Sequence, residues 1–349
     1  MLQCKQLSRG MRGRRVISRV GAAGLALLGA AGLTGCTDMS FLITPVSPDR
    51  KLVEHTVSRD SAFAGRKVAL VEIDGVISSA ATSGLLGGES DNPVAIFKER
   101  LDLAANDAAV KAVVLRINSP GGGVTASDMM YEEVRAFKAR TKKPVVTAML
   151  DVAASGGYYV ACASDRIYAN PTTITGSIGV IMLHPDISGT LEKIGAHMNA
   201  IKSGAMKDSG SPFRSMTDVD RLYFQKLIDE MYQRFLGVVA AGRPKLDPAR
   251  IRELADGRVY LAAEAKANGL IDEIGTLDEA IGCAKSLAGM QSQAVRVVSY
   301  GRSYSYRPNV YAEAPGGTAG STQVNLINIA GADWLSTQAP RFMYLWTAP

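Results

Sequence analysis

Twice in this chain an apolar, β-branched run ends in a glycine-rich turn that opens a helical pattern. Val113-Val-Leu-Arg-Ile117 runs into Asn118-Ser119-Pro120-Gly121-Gly122-Gly123, with a helix expected over 127–139. Pro144-Val-Val-Thr-Ala-Met149 runs into Asp151-Val-Ala-Ala-Ser155-Gly156-Gly157, with a helix expected over 156–163. Short apolar strands alternating with helices of this kind require a sheet buried on both faces, so the pattern predicts an α/β fold with a largely parallel sheet. The rest of the pattern agrees. Strands are expected at 68–73, 166–169 and 177–182, with 75–77 continuing the first of them after a turn. Helices are expected from Pro93 to about Ala105 and over 217–241, 247–254, 262–267 and 276–287. Proline suits the opening turn of the first of these helices. Residues 80–92 read as a glycine- and serine-rich loop, and 302–321 as extended or disordered chain. The end, Arg341-Phe-Met-Tyr-Leu-Trp-Thr-Ala-Pro349, is too apolar for a free tail and is expected to pack on the body or on a neighbouring subunit.

Charge excludes one class of partner. The formal charge is +6, but Lys5, Arg9, Arg12, Arg14, Arg15 and Arg19 all lie within residues 1–35, which hold no acidic residue. The remainder, 36–349, balances 33 basic against 33 acidic residues. A neutral body gives no footprint for nucleic acid. The basic cluster precedes the apolar run 20–33, the layout of an export signal. Only 14 residues separate Arg19 from Thr34, short of the roughly 20 a membrane span needs. Leu33-Thr34-Gly35-Cys36 resembles the lipobox of bacterial lipoproteins. The resemblance implies cleavage before Cys36, a diacylglyceryl thioether on its sulfur and a palmitate-type acyl group on the new N-terminus. More than one chain gives stable anchoring. The layout is then signal peptide 1–35, tether and lead-in 36–66, main domain 67–290 and C-terminal extension 291–349. The location implied is the cell envelope, on the exported side, with the choice of outer or inner membrane open.

The remaining cysteines, Cys162 and Cys283, sit in apolar helical contexts and read as buried small hydrophobes. There is no CxxC, and His55, His184 and His197 are isolated, so no metal is expected. No cofactor is indicated.

Ser155 stands where a strand gives way to a helix. Its hydroxyl is either an N-cap or a nucleophile beside free backbone amides. The Ala-Ser-Gly flanks differ from the G-x-S-x-G elbow of the α/β-hydrolases. A nucleophilic serine needs a base. His184-Pro185-Asp186 is one candidate cluster; the other is a lysine of Ile201-Lys202-Ser203-Gly204-Ala205-Met206-Lys207-Asp208, provided desolvation lowers its pKa. Spacing alone does not choose between Lys202 and Lys207.

The run 117–180, the IKSGAMKD segment and the late Gly257-Arg-Val-Tyr260…Gly269-Leu-Ile-Asp272 motif occur in order and resemble the S49 peptidase family, over about residues 67–285. The resemblance implies a ClpP/crotonase-like fold and a membrane-associated serine protease with a Ser–Lys dyad, acting on signal-peptide remnants or other extended peptides. Carried onto this sequence, the nucleophile is Ser155 and the general base Lys207, with Lys202 a neighbour. The oxyanion hole falls to the amides of Gly122 and Gly156. Extended substrate is expected along Gly121–Gly123, and a homo-octamer is implied in which neighbouring subunits complete each site. Two other classes compete. A crotonase-type acyl-CoA enzyme fits poorly with export, because CoA is cytosolic. A non-catalytic assembly or binding protein would not need the intact Ser155 and Lys207.

Overall fold

The computed structural model describes residues 51–80, 92–302 and 342–346. The export signal, Cys36, nearly all of the 80–92 loop and the 302–321 stretch lie outside the described residues. The main sheet takes strands β1 (Val53–Arg59), β2 (Arg66–Asp74), β3 (Val110–Ser119), β5 (Val145–Ala154), β6 (Arg166–Ala169), β10 (Glu273–Ile274) and β11 (Val295–Gly301) in the order β1-β11-β2-β3-β5-β6-β10. Every neighbouring pair in it is parallel except β1 with β11. Two short strands extend it: β7 (Ile174–Gly176) runs parallel to the end of β5, and β9 (Val259–Leu261) runs antiparallel to β7. A second, three-stranded sheet is formed by β4 (Gly121–Gly123), β12 (Phe342–Leu345) and β8 (Ile181–Met182), with β12 in the middle.

Alternation along β2 explains the layers. Ala69, Val71 and Ile73 face one core, closed by Phe97 and Leu101 of α1 (Pro93–Asn106) and by Val134 and Phe137 of α2 (Val124–Thr141). Val68 and Leu70 face the other, closed by Leu277, Ala280, Ile281 and Ala284 of α8 (Leu277–Leu287). Side chains on a strand point to opposite faces in turn, so a strand covered on both faces must be apolar throughout. Each fully buried Val, Leu or Ile contributes about 1.5–3 kcal/mol. Leu115, fully buried at the centre of β3, is a position where truncation to alanine would cost about 2–5 kcal/mol.

Helix starts follow their caps. Asn92 accepts the amides of Val94 and Ala95 ahead of Pro93, Thr217 and Asp220 form a reciprocal box on α5 (Asp218–Gly242), Asp247 caps α6 (Pro248–Leu254), and Thr276 with Glu279 boxes α8. α7 (Ala262–Ala267) leads into β10. Cys162 and Cys283 are free thiols. Among the described residues no helix is long and apolar enough to cross a membrane.

Two expectations meet a different structure. Residues 177–182 read as one strand, yet only Ile181–Met182 are extended, because Gly176 (φ +84°) and Ser177 (φ +48°) turn the chain through left-handed conformations. Residues 37–66 read as irregular, yet Val53–Arg59 pair with β11. That edge strand is largely exposed and has no apolar alternation to announce it.

Candidate active site

Ser155 is the hinge between β5 and α3 (Gly156–Ala161) and is 1% exposed. Its backbone adopts φ 52°, ψ −113°, a conformation that costs a non-glycine residue about 1–3 kcal/mol. Packing holds it there. Its amide donates to Gly176 O at 2.7 Å, and its carbonyl accepts from Tyr159 N at 2.8 Å. The side chain makes no capping hydrogen bond to α3, which removes the N-cap reading. The two tyrosines that follow brace the turn. Tyr158 donates its hydroxyl to Leu270 O at 2.8 Å, and Tyr159 bonds Asp128 of α2. The late glycine-containing motif thereby gains a structural purpose. Asp272 accepts from Ile167 N and from the buried Arg243, while Arg258 O accepts from Ser177 N.

The Ser119-Pro120-Gly-Gly-Gly123 turn is laid directly against this hinge. The pairing of β3 with β5 shifts register between Ile117 and Ser119 and resumes at Ser119 with Ala153, an irregularity of the kind found beside functional sites. Ser119 Oγ then accepts Gly121 N at 3.1 Å. Gly121 has φ +99°, and a Cβ there would lie 2.6 Å from Gly156 N. A Cβ on Gly122 would lie 2.0 Å from Ile77 O, and one on Gly156 would lie 3.2 Å from Gly122 N and 2.4 Å from Ser127 Oγ. Only glycine permits this approach. Its outcome is that the backbone at Gly122 and the amide of Gly156, 34 residues apart in the sequence, converge next to Ser155. Ile77 fixes the strand by donating to Gly121 O at 2.8 Å and accepting from Gly123 N at 2.9 Å. Those bonds use the groups of Gly121 and Gly123, so the N–H and C=O of Gly122 turn to the opposite edge.

Among the described residues Lys207 makes no hydrogen bond to Ser155. It sits exposed on a 3₁₀ turn, Ala205–Asp208, and among the described residues its ammonium has no hydrogen bond or ion pair. Lys202, by contrast, is tied to Asp208 at 2.7 Å. Arg214, and after it Lys202, hold the Asp208 carboxyl down to about 2. Arg214, joined by Ser209 and Thr217, also holds the Asp220 carboxyl far below its ordinary range. His184 bonds Ser211 O at 3.2 Å rather than Ser155. Burial pushes the Cys162 thiol up to about 11, which leaves it inert as a nucleophile. Among the described residues no group of His, Cys, Asp and Glu is arranged to hold a metal.

Three contributors to the site had not been singled out from the sequence as site residues: Ile77, Ser127 and the strand β12. The apolar character of Ile77 and of 342–346 was visible. Nothing in either segment says that it docks on the glycine turn.

Comparison with known proteins bears on the same residues. The model of peptidase family S49 matches residues 137–291, which include Ser155 and Lys207. An Enterococcus faecium protein assigned as a signal peptide peptidase SppA is 38% identical over 235 residues, 67% of this chain and 67% of that protein. The chain belongs to peptidase family S49. Protease 4 of Haemophilus influenzae is 36% identical over 228 residues, 64% of this chain and 35% of that protein. The chloroplastic serine protease SPPA of Arabidopsis thaliana is 36% identical over 214 residues, 61% of this chain and 31% of that protein. The chain therefore spans about two thirds of the first relative but only about a third of the other two. Membership places it among serine proteases on an α/β fold with a mixed sheet and flanking helices.

Proposed function

We propose that the chain is a membrane-associated serine endopeptidase that cleaves signal-peptide remnants or other extended peptides through a Ser155–Lys207 dyad, on a fold of the ClpP/crotonase type. The observation that carries this reading is the strained, non-capping Ser155 lying beside the amide of Gly156 and the backbone of Gly122. Oxygen held there would have donors for the charge that develops in a tetrahedral intermediate. Ser155 Oγ attacks the peptide carbonyl while Lys207 takes the hydroxyl proton. The C–N bond breaks, the leaving amine takes that proton, and water activated by the neutral lysine hydrolyses the ester.

Lys207 reaches the serine from a neighbouring copy of the chain. Supporting this, the segment that carries it exposes Leu183, Ile194, Met198 and Ile201, and the adjoining helix exposes Val219 and Leu222. An apolar surface on this scale is characteristic of an interface. A second copy would bury it and desolvate the lysine, lowering its pKa towards the range a general base needs. The closed assembly proposed is a homo-octamer with peptide as its substrate and without nucleic acid, metal or cofactor. Acylation at Cys36 would hold it on the exported side of the envelope, with 36–66 as tether and lead-in. Residues 67–290 would be the protease domain and 291–349 its extension.

The test is reaction with an acylating serine probe. The parent should be labelled at Ser155, and Ser155→Ala should be unlabelled and inactive but assembled. Hydrolysis by Ser155→Ala at the parent rate would defeat the proposal. Mass spectrometry of the mature N-terminus tests the anchor, since an unmodified Cys36 would remove it without touching the dyad.

A further inference from the structure

We propose that Arg214 is a positioning residue for the reaction: it ties the turn that carries Lys207 to helix α5 and so sets where the ammonium stands. This rests on Lys207 being the general base. The need for such a tie follows from the turn itself. Ala205–Asp208 holds no buried residue, so no apolar packing fixes it. Its backbone bonds stay local, from Lys207 N to Gly204 O and from Ser209 N to Met206 O, both at 3.1 Å. Lys202 is local too, its ammonium meeting Asp208 Oδ1 at 2.7 Å and Ala205 O at 3.2 Å. Two side-chain bonds lead outward to α5. Arg214 Nη2 donates to Asp208 Oδ1 at 3.1 Å, and Ser209 Oγ donates to Asp220 Oδ1 at 2.6 Å. Both routes end on the Asp220 carboxylate, which is 1% exposed. Arg214 grips it twice, Nη1 to Oδ2 at 2.6 Å and Nη2 to Oδ1 at 3.2 Å.

Asp220 is itself well fixed. It accepts from Thr217 N at 3.0 Å and Thr217 Oγ1 at 2.7 Å, in the first turn of α5, where the helix dipole favours a carboxylate. Phe224, Phe235, Val238 and Val239 sink that helix into the protein. Contacts therefore run from a packed helix through Asp220 and Arg214 to Asp208, the chain neighbour of Lys207. A guanidinium suits this place. Its planar fork holds one carboxylate at two points and still reaches a second, which a point-charge ammonium does not reproduce. Arg214 holds both carboxyls below their ordinary range, so the bridge is fully charged at neutral pH. Cutting the bridge displaces the base and leaves the serine half alone, because Ser155 and the Gly121–Gly123 turn are fixed by their own packing. A misplacement of about 1 Å can slow a reaction on the order of a hundredfold. The loss should fall on kcat and spare KM, since substrate is held by the other half.

The test uses the full-length chain in its assembled state and one synthetic peptide. Arg214→Ala should lower kcat by about 10–100-fold with KM within about twofold of the parent. Arg214→Lys keeps the charge, loses the fork, and should regain less than about a third of the parent kcat. Guanidinium chloride at about 10 mM, far below the molar range that unfolds proteins, should restore activity several-fold to Arg214→Ala and none to Lys207→Ala. Sodium chloride at the same strength should restore neither. Asp208→Asn should also be slow, and adding it to Arg214→Ala should slow the enzyme little further, as two ends of one bridge require. Parent-like kcat in Arg214→Ala, a loss confined to KM, or independent multiplication of the two single losses would overturn the inference. Should Arg214→Ala fail to assemble, Arg214→Lys decides, and parent kcat in that assembled variant overturns it as well. If Lys207→Ala is inactive while the Arg214 variants match the parent, this inference falls alone. If Lys207→Ala cuts the peptide at the parent rate, the base reading falls and takes the inference with it.

Discussion

The serine half and the lysine half of the proposed dyad are built in opposite ways. Ser155 is buried at the junction of β5 and α3, its backbone strained and every neighbour fixed by packing: Gly121, Gly122, Gly176, Tyr158 and Tyr159. Lys207 is exposed on a four-residue turn, in a segment held by polar ties, Lys202 and Arg214 to Asp208 and Arg214 to Asp220. The part-exposed pairs to Asp208 contribute little each, typically below about 1 kcal/mol, and only the Asp220 end of this network is buried. On the proposed reading the nucleophile draws its geometry from the fold of one chain, whereas the base would need a second surface to dehydrate it. The lesson is that a site can be precise in one half and unfinished in the other.

That contrast is most severely tested where backbone meets backbone. In Gly122→Ala the new methyl would lie 2.0 Å from Ile77 O, and this should abolish peptide hydrolysis. It should also cost about 3 kcal/mol of stability, a fall of roughly 6–12 °C in Tm. Lys207→Ala should be equally inactive with stability unchanged within about 0.5 kcal/mol. Equal melting of the two variants would erase the distinction between the halves.

The strain at Ser155 gives a smaller and more specific effect. Ser155→Gly and Ser155→Ala should both be inactive, but glycine tolerates φ 52° without penalty. Calorimetry should find the glycine variant more stable by about 1 kcal/mol, or roughly 2–4 °C. The reverse order would show that the turn is not strained.

The subtlest effect concerns acid. The folded carboxyl of Asp208 is depressed to about 2, against an ordinary 3.8. Its contribution is therefore present above about pH 3.8 and is lost as pH falls through about 2. Amide-exchange protection over 202–214 should be flat from pH 7 to pH 4 and collapse only in that lower window. Arg214→Ala should move the collapse upward while leaving protection of β3 and β5 unchanged.

How far the sequence could be read follows the same division. The doubly covered sheet was legible because Val68–Ile73 and Val113–Ile117 are apolar on both faces, and the helix starts because Asn92-Pro93, Thr217, Asp247-Pro248 and Thr276 carry their own caps. Ser155 and the Gly121–Gly123 turn stood out because close backbone approach requires small residues. What was not legible depends on contacts distant in sequence. The bridge from Ile77 to Gly122 and the seating of Tyr344 against Tyr159 and Phe235 join segments with no local signature of each other. Edge strand β1 was missed for the same reason, since its pairing with β11 is its only cause.

The direct measurement is complementation between two inactive chains. Ser155→Ala and Lys207→Ala, each inactive alone, are unfolded together, reassembled at equal ratio and assayed on one peptide. If serine and lysine meet across subunits, random mixing should restore roughly a quarter of the parent rate, the share of neighbouring pairs with both groups intact. Activity that stays at the level of the single variants, in assemblies shown to be mixed, would contradict a dyad completed by a second copy of the chain.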